Sequence, residues 1–133
     1  MKLQTIEGIG PVYEGKLQAV GINSVEALLD ACSTKKERDD LALRAGLSPK
    51  RVLTWANHAD LFRIKGVAGE YSELLEAVGV DTVVELATRN PVNLTKKMEE
   101  VNEAKRLVRK VPVLSQVEDW VKQAADLPRK LFY

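Results

Sequence analysis

Cysteine, histidine and aromatic residues are scarce in this chain of 133 residues, with one Cys, one His and 5% aromatics. A single cysteine, Cys32, rules out an internal disulfide and leaves no thiolate set for zinc. It reads as a small buried or helix-end residue, since no arrangement of basic neighbours marks a reactive thiol. His58 has no second histidine or cysteine near it, so it is expected to be structural, at the surface or half-buried. Neither a metal nor any other cofactor is expected. The low aromatic content leaves little material for stacking unpaired bases. Charge of one sign is also lacking: 20 Lys+Arg stand against 19 Asp+Glu, a formal +1. A chain that coats nucleic acid carries a clear basic excess, so any phosphate contact here must be local. No apolar run approaches the ~18–20 residues of a membrane-spanning helix. The opening MKLQTIEGIG has no apolar stretch of a secretory signal. These absences point to a cytoplasmic protein with no membrane contact.

The chain does contain an internal repeat. Residues 6–28, IEGIGPVYEGKLQAVGINSVEAL, align without a gap with residues 64–86, IKGVAGEYSELLEAVGVDTVVEL. Ile6/Ile64, Gly8/Gly66, Tyr13/Tyr71, Leu17/Leu75, Gly21/Gly79 and Leu28/Leu86 correspond, with conservative matches between them. A second echo joins the run beginning at Trp55 to the run beginning at Trp120, with one residue inserted. Two units are therefore expected, residues 1–63 and 64–133, packed as one body.

Helix starts and stops are legible. Ser48 before Pro49 and Asn90 before Pro91 read as N-caps with proline in the first turn. Thr34 with Glu37, Thr82 with Glu85, and Ser115 with Glu118 read as capping boxes. Gly21, Gly46 and Gly79 read as left-handed terminators. Val52, Trp55, Ala59 and Phe62 follow the helical period and should face the core, as should Val117, Trp120, Val121 and Ala124 in the last helix. A short helix is expected around residues 103–110, ended by Pro112. No segment alternates strictly, so the expectation is all-α.

At Ile6-Glu7-Gly8-Ile9-Gly10-Pro11 an apolar residue and a Gly-x-Gly turn lead directly into a helix. Such a reversal needs positive φ or close backbone approach, hence glycine. It also leaves N–H donors at the start of the next helix beside the positive end of its dipole, an arrangement able to hold a phosphate. This pattern resembles the helix-hairpin-helix family, whose hairpins grip the DNA backbone irrespective of sequence. The whole chain resembles a bacterial family of tandem helix-hairpin-helix proteins classed as a domain of unknown function. That resemblance rests on IEGIGPVYEGKL, LSPKRVLTWANHADLFRIKGV, VNEAKRLVRKVP and LSQVEDWVKQAADLPR. It implies two helix-hairpin-helix repeats plus connecting helices in one compact domain, SAM/HhH-like. Because so few residues precede Ile6, the helix bearing Trp120 is expected to fold back and supply the missing element of the first hairpin.

The nucleic-acid-binding candidates are Gly8, Ile9, Gly10 and Val12 at the first turn and Gly66, Val67 and Gly69 at the second. Lys16 and Lys65 lie nearby in sequence. Lys105, Arg106, Arg109 and Lys110 would share one face of the 103–110 helix, opposite Ala104, Leu107, Val108 and Val111. No catalytic residue is expected: Lys16 or Lys65 would need a base pocket and a paired carboxylate to serve as a nucleophile, and neither is recognisable. Two readings follow. One is a non-enzymatic module holding duplex DNA by its phosphates; the other is a protein-interaction or scaffolding module. The repeated glycine turns favour the first. Near-zero charge, Ala68 in place of a turn glycine and the carboxylate of Glu70 favour the second. The apolar end Leu131-Phe132-Tyr133 is either docked on the body or a contact surface, and the oligomeric state is open.

Overall fold

The computed structural model describes residues 1–133. It is all-helical, with a single 3-10 turn (Leu3–Thr5) followed by eight α-helices and no strand. Two units divide the chain: Met1–Asp60 together with Lys130–Tyr133, and Leu61–Arg129. The first carries α1 (Pro11–Gln18), α2 (Val25–Ala31), α3 (Lys35–Ala45) and nearly all of α4 (Pro49–Leu61). The second carries α5 (Glu70–Ala77), α6 (Val83–Ala87), α7 (Pro91–Lys105) and α8 (Leu114–Asp126). No helix is long and apolar enough to cross a membrane.

The helix boundaries follow local chemistry. Ser24 Oγ accepts the N–H of Ala27, Thr34 Oγ1 that of Glu37 and Ser48 Oγ that of Arg51, at 3.0–3.2 Å. Thr82 Oγ1 and Asn90 Oδ1 do the same for Glu85 and Asn93. Each satisfies a donor that the first helical turn leaves open. Gly21 (φ 88°) and Gly79 (φ 90°) follow α1 and α5 in the left-handed region. Beyond them Ile22 donates to Leu17 O at 3.0 Å, and Val80 to Leu75 O at 2.9 Å. The same chain reversal thus closes both helices.

One cap differs from the reading above. At α8 the side chain of Gln116 accepts the N–H of Val113 at 3.0 Å, and Ser115 lies inside the first turn. The Ser115/Glu118 box does not form.

The expected helix at 103–110 is also absent. The helix capped by Asn90 runs on to Lys105 and stops at Arg106, which takes a left-handed conformation (φ 51°). Residues 106–113 are non-helical. Two side chains hold this stretch. Asn102 Nδ2 donates to Val108 O at 3.1 Å while its Oδ1 accepts the Val108 N–H at 2.9 Å. Tyr71 Oη donates to Lys110 O at 3.0 Å. These bonds occupy backbone groups that a helix would have used, and Val108 is buried as a result.

In the second unit α8 packs on α6 and α7, burying Val117, Trp120 and Ala124 with Val121 half-buried. It does not supply the missing element of the first hairpin, because its apolar stripe is spent inside its own unit. In the first unit the chain enters through the 3-10 turn, with Leu3 and Ile6 buried. Met1 O accepts the N–H of Val25 at 3.0 Å.

The last four residues, expected with the second unit, lie in the first. Phe132 N–H donates to Ser33 O at 2.8 Å. Ser33 Oγ donates to Lys130 O, and Arg38 donates to the carbonyls of Cys32 and Phe132 at 2.9 and 3.0 Å. Leu131 is buried, so this end is docked. His58, expected at or near the surface, is buried on α4, as are Val52, Trp55, Ala59 and Phe62.

Candidate functional site

Gly8 (φ 94°) and Gly66 (φ 97°) sit at the corners that precede α1 and α5. Both glycines are exposed, between apolar neighbours, Ile6 and Ile9 or Ile64 and Val67, that are buried. Ile9 N–H donates to Ile6 O and Val67 N–H to Ile64 O, each at 3.1 Å. These two bonds make the corners. They also remove Ile9 and Val67 from the set of phosphate donors, because their N–H groups are used inside the turn and their side chains lie in the core.

A tryptophan from the last helix of each unit backs the corner. The Trp55 indole nitrogen lies 3.6 Å from where a Cβ on Gly8 would stand, and that of Trp120 only 2.9 Å from the same point on Gly66. Tyr13 packs on Trp55 with centroids 5.2 Å apart, and Tyr71 on Trp120 at 5.3 Å. Each corner is thus a Gly–Trp–Tyr cluster in which the ring prefers a tilted or edge contact. The matched positions of these residues in the repeat signalled it.

The donors differ between the corners. In the first, α1 begins at Pro11 and its first i→i−4 bond is made by Glu14 to Gly10 O at 2.9 Å. The N–H groups of Val12 and Tyr13 therefore lie ahead of the helical ladder, at the positive end of the helix. Gly10 caps the helix in an extended conformation (φ −93°, ψ −174°) and does not use glycine's positive-φ freedom. In the second, Tyr71 N–H turns back on Ala68 O at 3.0 Å. Gln123 then covers the turn: its Oε1 accepts the Lys65 N–H at 2.8 Å, and its Nε2 donates to Lys65 O at 3.1 Å. That amide also donates to Asp119 at 2.8 Å, which brings a carboxylate to this side. Gly69 caps α5 with φ 44° and ψ −111°, a conformation for glycine alone.

The cations are distributed unlike the expectation. Lys16 Nζ lies 3.5 Å from Gly46 O, at the end of α3. Lys105 is the last residue of α7, and Arg106, Arg109 and Lys110 fall in the non-helical stretch, so the predicted basic helix face does not exist. Arg106 and Arg109 line a recess of about 620 Å³ together with Glu70 and Glu103, two cations facing two carboxylates. Lys65 is exposed, with its backbone held by Gln123.

Two cations missed by the sequence reading stand at the first corner instead. A recess of about 420 Å³ is lined by Glu7, Gly8, Ser48, Lys50, Arg51 and Trp55. Arg51 hydrogen-bonds Tyr13 Oη and lies over the Tyr13 ring at 4.7 Å. Arg51 is four residues before Trp55 and so shares its side of α4. That spacing, joined to the Gly8/Trp55 match, was the available signal. No cluster of three or more His, Cys, Asp and Glu side chains is placed to hold a metal. Burial pushes the Cys32 thiol up to about 12, the opposite of an activated nucleophile.

No curated protein and no solved structure matches this chain. Residues 7–127, which include both corners, their tryptophans and the stretch between α7 and α8, match one family, and the chain belongs to it: the family described as Domain of unknown function (DUF4332).

Proposed function

We propose that this chain is a non-enzymatic, cytoplasmic nucleic-acid-binding module of helix-hairpin-helix type, which holds the phosphates of duplex DNA without reading its sequence. The observation that carries the reading is the first corner. There an exposed glycine turn, open N–H groups at the start of α1 and the cations Lys50 and Arg51 lie together. Backbone donors at a helix start and a guanidinium are the groups that phosphate oxygens accept from. The second corner contributes less, since Gln123 occupies part of its backbone and Glu70 stands at the start of α5.

Fluorescence anisotropy on labelled duplexes tests this. Binding should appear at about 50 mM salt and weaken steeply as salt rises, with a log–log slope near −0.9 per phosphate contacted. Duplexes of unrelated sequence should bind alike. No binding at that salt overturns the proposal.

A second reading, a protein-interaction module, is favoured by one feature. Val12, in the first turn of α1, is 73% exposed, and an apolar side chain there suits a protein surface better than a phosphate. Duplex binding unchanged by Val12→Asp would point away from the DNA reading.

A further inference from the structure

The two corners match in sequence and in aromatic packing, yet the recess behind them differs. Superposing the tryptophan helices by sequence sets Lys50, Arg51 and Thr54 against Ser115, Gln116 and Asp119. The first unit therefore has two cations and a hydroxyl where the second has a hydroxyl, an amide and a carboxylate. In the second unit these groups are committed: Gln116 holds the Val113 N–H, and Asp119 holds Gln123, which in turn clamps Lys65. In the first unit the recess is open. Trp55 lines it and is 2% exposed, and its indole nitrogen stands over Gly8. That indole N–H has no acceptor in the chain, although it is not sealed from solvent. A buried residue whose one polar group is left without an acceptor is costly unless something outside the chain supplies it.

We infer that this recess beside Gly8 holds one phosphate group of the bound strand, accepted between the Trp55 indole N–H, the Arg51 guanidinium and the Lys50 ammonium. The second corner is a structural joint that binds no phosphate. This assignment rests on the nucleic-acid reading and adds to it a named pocket on one corner only. It is distinct from the donors at the start of α1, because the recess lies on the α4 side of Gly8. Every donor named is acceptor-seeking, and the single carboxylate on the lining, Glu7, is exposed and outnumbered by the two cations.

The chain has only two tryptophans, so a ¹⁵N–¹H spectrum shows two indole resonances, assigned by Trp55→Phe. Inorganic phosphate at constant ionic strength and a short duplex are each titrated in. The Trp55 resonance should shift saturably with both, and the Trp120 resonance should not move. Lys50→Gln/Arg51→Gln should lower duplex affinity roughly tenfold and flatten the salt slope by about 2, with thermal unfolding confirming a folded variant. Lys65→Gln should leave the slope unchanged.

Duplex binding with an unmoved Trp55 resonance and an unchanged slope in the double variant overturns the recess and leaves the proposed function standing. A phosphate-dependent Trp55 shift without duplex binding makes the recess a free-phosphate site and overturns the nucleic-acid function. Equal shifts at both tryptophans overturn the asymmetry.

Discussion

The indole nitrogen of Trp120 approaches to 2.9 Å the position that a side-chain carbon on Gly66 would take, closer than carbon and nitrogen can stand. Trp55 keeps 3.6 Å from the equivalent point on Gly8, an ordinary contact. Both glycines also have φ near +95°, where a Cβ is strained.

Gly8→Ala should therefore lose about 1–3 kcal/mol of stability, from backbone strain alone. Gly66→Ala should lose more, because Trp120 must also move within a core that is already filled. Chemical denaturation of the two variants checks the order. Equal losses would mean that Trp120 yields without cost.

The stretch 106–113 hangs on Asn102. Asn102→Ala would leave the N–H and C=O of buried Val108 without their partners, at a cost of about 1–3 kcal/mol. Tyr71→Phe, which removes only the bond to Lys110 O, should cost about 1 kcal/mol. Hydrogen exchange at Val108 should quicken in the first variant. Unchanged protection there would show that another contact holds the segment.

Arg38 is 4% exposed and gathers carbonyls from Cys32, Ser33 and Phe132. Arg38→Met keeps length but strands those oxygens, so a loss of about 2–3 kcal/mol is expected. Leu131→Ala should cost about 2–5 kcal/mol through the cavity left at the docked end. Both losses should register as faster exchange in α2 and α3 and leave α6 and α8 protected. The opposite pattern would contradict the assignment of the tail to the first unit.

Cys32 sets a dependence on alkaline pH. Burial raises its folded pKa from 9.0 to about 12, partly opposed by the charge of Arg38. The folded thiol keeps its proton where the unfolded one has lost it. This contribution is complete below the unfolded pKa and fades as pH rises toward the folded value, by up to about 1.4 kcal/mol per pH unit. Between about pH 9 and 11 the protein should thus lose more stability than Cys32→Ala does. The native thiol should also resist aromatic disulfide reagents at about pH 8 until the chain unfolds. Rapid native labelling would place Cys32 outside the core.

How much of this was legible from residues divides along the range of the interactions. The caps at Ser24, Thr34, Ser48, Thr82 and Asn90 and the left-handed ends at Gly21, Gly46 and Gly79 each involve a few neighbouring residues. Their chemistry is complete in the local string. The duplicated glycine turns with their tyrosines and tryptophans were visible for a second reason, since repetition displays a shared packing need.

Three features were decided by partners far along the chain. The stretch after Lys105 has a charge and apolar spacing that suits a helix, but Asn102 and Tyr71 claim its backbone, and tertiary bonds outweigh a weak propensity. The helix bearing Trp120 was legible as amphipathic, whereas the unit it serves was not, because an apolar stripe does not name its partner. Lys50 and Arg51 looked like two cations in an ordinary first turn. Only packing, which sets Trp55 against Gly8, carries them to the corner, because adjacency across some forty residues follows from which surfaces bury each other and not from the order of residues along the chain.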